Sequence, residues 1–148
     1  KTVLVPIDFS AADGPTTACA AGLARDLGAN VVLLHVEAPD PGFIGYEAGP
    51  QSVRDSVARA IQGNARTLHE VRDRMRADGL PVECLLIQGP TVEKIVDEAR
   101  RLAADYIVIG SHGRGALRDL VVGSVADGVI RRATCPVVVV PRAAQKAS

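Results

Sequence analysis

Five short apolar runs, none of which alternates with polar residues, constrain this chain more than any other feature. They are Thr2 to Ile7, Val31 to Val36, Val82 to Ile87, Tyr106 to Ile109 and Val137 to Val140. Strict alternation would mark strands with one wet face; an unbroken run suits a strand covered on both faces. The segments between them carry apolar residues at three- and four-residue spacing instead. Ala20, Leu23, Ala24 and Leu27 predict a helix from about Ala11, stopped by Gly28. Val53, Val57, Ile61, Leu68, Val71 and Met75 predict a long second helix. Val92, Ile95, Val96, Ala99 and Leu102 predict a third, and Val125, Ala126, Val129 and Ile130 a fourth. Strands and helices alternating in this way give a doubly wound α/β sandwich, a five-stranded parallel sheet with helices on both faces.

The punctuation agrees with that reading. Asp8 stops the first run, and Ser10-Ala11-Ala12-Asp13 has the spacing of a capping box. Pro81 leads into the third run, Gly89-Pro90-Thr91 turns the chain into the third helix, and Pro136 and Pro141 bracket the fifth run. Glu37 to Ser52 breaks the pattern with three prolines and three glycines around Phe43, Ile44 and Tyr46. A connection of that length is a lid, an interaction surface or a solvated link.

At 148 residues the chain suits one α/β domain over 1–141, with 142–148 as a flexible tail. The formal net charge is zero, which gives no bulk attraction to nucleic acid or to an anionic membrane surface. Aromatic residues are scarce, with no Trp, two Tyr and two Phe, so a base-stacking platform is not expected either. No apolar run approaches the roughly 20 residues that cross a bilayer, and no signal-peptide pattern opens the chain. Cys19, Cys84 and Cys135 are far apart and lack metal-ligand spacing. They read as small core residues within helices or strands in a reducing cytoplasm.

One stretch carries chemistry. After the fourth run come Gly110-Ser111-His112-Gly113-Arg114-Gly115, then Gly123-Ser124 at the expected start of the last helix. Glycines let backbone amides approach phosphate oxygens, and a helix N-terminus attracts negative charge. Ser124 has Asp127 three residues on, so it is either the cap of that helix or a hydroxyl directed at phosphate. Arg114 and Arg118 either neutralise phosphate charge or solvate the loop. His112 reads as a hydrogen-bonding fixture, and His35 and His69 as structural. The Walker pattern Gly-x4-Gly-Lys-Ser/Thr is absent, and no Gly-x-Gly-x-x-Gly follows the first strand. Asp8 and Gly110 both end strands, and in open α/β sheets ligands bind outside the carboxyl ends, where the strand order reverses. Asp8, a carboxylate at a strand end, either caps the helix that follows or serves a ligand, by accepting hydrogen bonds from its hydroxyl or amino groups or by holding a Mg²⁺ through water.

The spacing Gly-x2-Gly-x9-Gly-Ser, as Gly110, Gly113, Gly123 and Ser124, resembles the ATP-binding branch of the universal stress protein family. The resemblance runs across nearly the whole chain. Val3 to Ser10 look like that family's opening, Leu34-His35-Val36 like its second strand, and Cys135 to Pro141 like its close. It implies strand order 3-2-1-4-5, ATP held without Walker motifs, and frequent dimerisation. Carried onto this sequence, Asp8 and the Val36 backbone contact adenine and ribose, with Pro6 and Ile7 beside them. Ile109, Gly110, His112, Gly113 and Arg114 line the ribose and phosphates, and Gly123, Ser124 and Val125 hold the phosphates. Mg²⁺ (or Mn²⁺) would accompany the phosphates. Ala126 stands where some ATP-binding members carry a hydroxyl. Gly128 inside the last helix costs about 1 kcal/mol relative to Ala and has no account at this level.

No nucleophile–base pair is legible, so the expected function is a cytoplasmic ATP-binding regulatory or stress-response module, at most a slow ATPase. The alternative is a dimeric interaction protein of the same family with an empty nucleotide site. A fifth strand at the sheet edge, with Val137, Val138, Val139 and Val140, would be covered by the same strand of a second copy, giving a homodimer.

Overall fold

A computed structural model describes residues 1–37, 51–112 and 122–141. The elements are β1 (Thr2–Pro6), α1 (Asp13–Leu27), β2 (Asn30–Glu37), α2 (Gln51–Ala77), β3 (Val82–Gln88), α3 (Thr91–Arg101), β4 (Tyr106–Gly110), α4 (Ser124–Arg132) and β5 (Val137–Val140). All strand pairs are parallel, in the order β3-β2-β1-β4-β5. The order reverses between β1 and β4, where Val3 pairs with Tyr106 and Leu4 with Ile107.

The unbroken apolar runs are explained by two separate cores. On one face Val3, Val5, Ile7, Val31 and Leu33 pack against Ala20 and Ala24 of α1 and Leu68 and Met75 of α2. On the other, Leu4, Val32, Leu34, Val36, Ile107 and Ile109 pack against Ile95 and Ala99 of α3 and Ala126 and Val129 of α4. Successive side chains point to opposite faces of a strand, so covering both faces demands an apolar residue at every position. Val31 through Leu34 are each at most 5% exposed.

Helix ends follow the glycines where expected. Gly28 closes α1 in the left-handed region at φ +62°, and the cap amide bonds back to Ala24 and Arg25. The start of α1 differs from the expectation. The helix begins at Asp13, its N-cap is Ala12, and no side chain caps it. Ser10 Oγ accepts the Ala12 amide two residues on, a local turn outside the helix. Leu23 and Leu27 are half-buried at the core's margin, while Thr16 is buried. Cys135 also departs from its expected place, lying in the link between α4 and β5. Burial, followed by the Asp105 charge, raises its thiol pKa.

The 37–52 connection, apart from Glu37 and the start of α2, and the tail 142–148 lie outside the described residues. No helix among the described residues is long and apolar enough to cross a membrane.

Candidate functional site

The carboxyl ends of β1 and β4 lie side by side where the strand order reverses, and the N-terminus of α4 is joined to the end of β4 through the Gly123 amide and Ser111 O. Pro6 and Ile7 are buried at the end of β1, and the Ile7 amide donates to Leu34 O at 2.8 Å. Val36 is buried near the end of β2, against the α3 and α4 face, with Ile109 in the same core.

Gly110 ends β4 for a steric reason. A Cβ there would lie 3.1 Å from Thr16 Oγ1 and 3.2 Å from the Ala12 methyl. The first turn of α1 packs against β4 at a distance that only a hydrogen side chain fits comfortably. Beyond it, the Ser111 amide donates to Val140 O at 2.8 Å, and Ser111 O accepts the Gly123 amide. Ser111 thus ties the ends of β4 and β5 and the start of α4 together. Its hydroxyl lies 2.9 Å from His112 Nδ1, which fits the reading of His112 as a fixture of the turn.

Gly123, not Ser124, is the N-cap of α4, with φ −70° and ψ 167° and no side-chain cap. The capping reading of Ser124 therefore fails: Ser124 is exposed in the first turn, and Asp127 pairs instead with Arg131 Nε at 2.9 Å. A helix start without a side-chain acceptor leaves its first amides, those of Ser124 and Val125, available to an anion. Gly113 and Arg114, the remaining residues of the expected phosphate loop, lie outside the described residues, as does Arg118.

The turn after β1 is more elaborate than its sequence suggests. Asp8 Oδ1 accepts the Ser10 amide at 3.0 Å. Asp13 folds back on the same turn: its Oδ2 accepts the Phe9 amide at 2.6 Å and its Oδ1 the Asp8 amide at 3.3 Å. Phe9 itself has φ +62°, a left-handed conformation costly for a side chain with a Cβ. Burial pushes the Asp13 carboxyl up to about 6; the nearby Asp8 charge adds to this, while the two amides pull it down. The sequence marks neither Asp13 nor Phe9 as part of this turn. The Ser-x-x-Asp spacing that reads as a capping box is the one trace of Asp13's role.

His35 completes the scaffold behind this turn. Its Nδ1 donates to Ile7 O at 2.8 Å, because a carbonyl can only accept. Nε2 lies 3.3 Å from Glu37 Oε1, which also accepts a hydrogen bond from Asn64 of α2. The Phe9 ring sits 4.3 Å from the imidazole, tilted by 36°. His35 is therefore structural, as expected, although it supports the edge where a ligand would bind. His69 is exposed on α2.

A cavity of about 330 Å³ also opens at the opposite edge, among Thr2, Asn30, Arg76, Val82 and Glu83. It lies at the amino ends of the strands, and Arg76 Nε there is bonded to Val82 O at 2.7 Å. Parallel sheets of this kind bind ligands at the other edge, where the turn, Gly110 and α4 converge.

Comparison with known proteins narrows the reading. Residues 1–141 match the universal stress protein family. A relative from Thermus aquaticus, "Universal stress protein in QAH/OAS sulfhydrylase 3'region", is 32% identical over 141 residues, covering 95% of this chain and 98% of its own length. Among solved structures, universal stress protein UspA from Lactobacillus plantarum superposes with a TM-score of 0.79 at 22% identity, covering 95% of this chain and 97% of that one, a likeness of fold. The universal stress protein from Archaeoglobus fulgidus in complex with dAMP superposes with a TM-score of 0.66 at 25% identity, covering 94% of this chain and 96% of that one.

Proposed function

Because the chain belongs to the universal stress protein family, we propose that it is an ATP-binding regulatory module of that family, working in the cytoplasm as a homodimer. The observation that carries the reading is the start of α4, which no side chain caps and whose Gly123 amide bonds to Ser111 O just beyond the carboxyl end of β4. The complex of the Archaeoglobus fulgidus protein with dAMP supports an adenine nucleotide as the ligand. In this reading Asp8, the Val36 backbone, Pro6 and Ile7 receive adenine and ribose. Ile109, Gly110, His112 and Gly113 follow the ribose and phosphates, with Arg114 neutralising charge. The amides of Gly123, Ser124 and Val125 hold the phosphates, with Mg²⁺ (or Mn²⁺) beside them. Backbone amides and a helix terminus bind charge without activating a nucleophile. The module therefore holds ATP and turns it over slowly at most.

The homodimer rests on β5. It lies at the edge of the sheet, and all four of its valines are half-buried. An exposed apolar edge strand invites pairing, and the same strand of a second copy satisfies a two-fold axis.

Thermal unfolding tests the nucleotide reading. Ligand at about 100 times its Kd adds about 2.7 kcal/mol, so saturating ATP with Mg²⁺ should raise Tm by several degrees. Gly123→Val, which places a branched side chain against the phosphates, should abolish the shift. Superimposable melting curves with and without ATP would sink the proposal. A monomeric mass by light scattering at micromolar concentration would count against the dimer.

A further inference from the structure

We propose that Arg76 of α2, with Arg72 one turn before it, closes the β3 edge of the sheet to a further strand, leaving β5 as the edge at which a second copy joins. That self-association stops at two copies rests on the dimer proposed above. The closed β3 edge does not.

The two edges differ in what they offer. A residue of a parallel strand turns its N–H and C=O to one side, and the next residue turns them to the other. Pro81 O accepts the Val31 amide, and the Gly89 amide donates to Glu37 O, so the odd-numbered residues of β3 face β2. The peptide groups of Val82, Cys84, Leu86 and Gln88 therefore face away from the sheet. By the same count, Pro136 O and Val140 O accept amides from Ile107 and Ser111, so Val137 and Val139 face away on β5. An outward row of this kind is a template for another strand. With both edges open, β5 of one copy would add to β3 of the next. That head-to-tail contact does not close, and it grows into a filament.

On β3 the row is already engaged. Arg76 Nε donates to Val82 O at 2.7 Å, the first outward carbonyl of the strand. An incoming strand lies about 4.8 Å from its neighbour, so its first donor would have to take the place of the guanidinium. Arg72 stands beside the next outward residue, with Nη1 3.8 Å from Cys84 Sγ and Nε 3.0 Å from Asp73 Oδ1. The spacing fits: four helix residues rise about 6 Å and two strand residues about 6.6 Å. Arginines at i and i+4 of α2 thus meet strand residues two apart. Among the described residues no carboxylate pairs with Arg76. Covering it with a strand would strip water from an uncompensated charge. β5 has no such guard of its own: it is four valines, bracketed by Pro136 and Pro141.

The test follows the full chain by sedimentation velocity and amide hydrogen exchange over a range of concentrations, as wild type, Arg76→Lys and Arg72→Ala/Arg76→Ala. The wild type should reach a limiting size of two copies at most, with exchange at the Cys84 and Leu86 amides independent of concentration. The double variant should go on growing with concentration, and exchange at those two outward amides should slow by about tenfold or more. Arg76→Lys, which keeps a charged donor at the edge, should behave as the wild type. Adding Val139→Pro removes an outward amide of β5 without touching its ladder with β4, and should stop the growth of the double variant. A double variant that matches the wild type in size and in Cys84 and Leu86 exchange overturns the proposal. So does growth that leaves those amides unprotected, or growth that persists with Val139→Pro. A wild type that is monomeric at every concentration removes the dimer alone; the guard is then decided by whether the double variant gains self-association together with protection at Cys84 and Leu86.

Discussion

Gly128 of α4 faces Val92 of α3 so closely that a Cβ on it would stand 2.8 Å from Val92 Cγ2 and 3.1 Å from Cγ1. This glycine, costly to a helix by propensity alone, sets how near the two helices approach over the second core. The contact predicts an inversion of the usual rule for glycine in a helix. Gly128→Ala should gain about 1 kcal/mol in propensity and lose about 1–3 kcal/mol to overpacking against a stiff β-branched partner. The net change is a loss of roughly 1 kcal/mol, or a Tm lower by about 2–4 °C for a chain of this size. Gly128→Ala with Val92→Ala should recover part of that loss. An unchanged or higher Tm for the single variant would show that α3 and α4 separate without cost.

Gly110 is a milder version of the same device. Its would-be Cβ contacts, at 3.1 and 3.2 Å, are tight but above 3.0 Å, and one involves Thr16 Oγ1, already committed to Ala12 O at 2.7 Å. Gly110→Ala should cost up to about 1 kcal/mol of stability. The cost should shrink in a Thr16→Ala background, giving a coupling of about 0.5 kcal/mol or more in a double-mutant cycle read by urea unfolding. Strict additivity would place the strain elsewhere.

The parts of this protein that were legible in its sequence are those that depend on one element at a time. Val31 to Val36 announce a doubly covered strand because every side chain meets a core. Gly28 announces the end of α1 because the left-handed conformation it takes is costly for residues with a Cβ. What stayed hidden depends on two elements meeting. Gly128 cannot be explained without Val92 of another helix, and Gly110 needs Thr16 and Ala12 of α1. Asp13 fits a capping box as well by spacing as it fits the turn it holds; only the left-handed Phe9 separates the two. Ser124 fits a cap by spacing in the same way, whereas the backbone puts the cap one residue earlier, at Gly123.

Asp13 also makes a prediction for stability. Its folded pKa, about 6, lies above the ordinary 3.8, so the native state binds its proton more tightly than the unfolded chain does. The stabilisation is complete below the unfolded value and is lost as pH rises through about 6. Between about pH 4 and 7 the wild type should therefore lose roughly 1–2 kcal/mol more than Asp13→Asn. That figure is discounted from the full shift because part of the carboxyl meets water. Chemical denaturation of both proteins across that range checks it. Parallel pH profiles would mean that the Asp13 proton is held no more tightly in the folded chain than in the unfolded one.

His35 and His69 form a matched pair, since both read as structural in the sequence but only one is enclosed. His35 is 8% exposed and bridges Ile7 O and Glu37 beneath the Phe9 ring; His69 sits on the wet side of α2. Removing the His35 ring leaves the Ile7 carbonyl without its donor, a cavity under Phe9 and a carboxylate supported by Asn64 alone among these groups. His35→Ala should cost about 2–4 kcal/mol, from one lost buried bond and the void together. His69→Ala should stay within about 0.5 kcal/mol. His35→Gln, which can still donate to Ile7 O, should recover part of the difference without recovering the stack on Phe9. The same series reports on the turn: if His35 props Phe9 in its left-handed conformation, hydrogen exchange at the Phe9 amide should rise in His35→Ala and not in His69→Ala. Equal exchange in both would leave the two bonds from Asp13 as sufficient support for the turn.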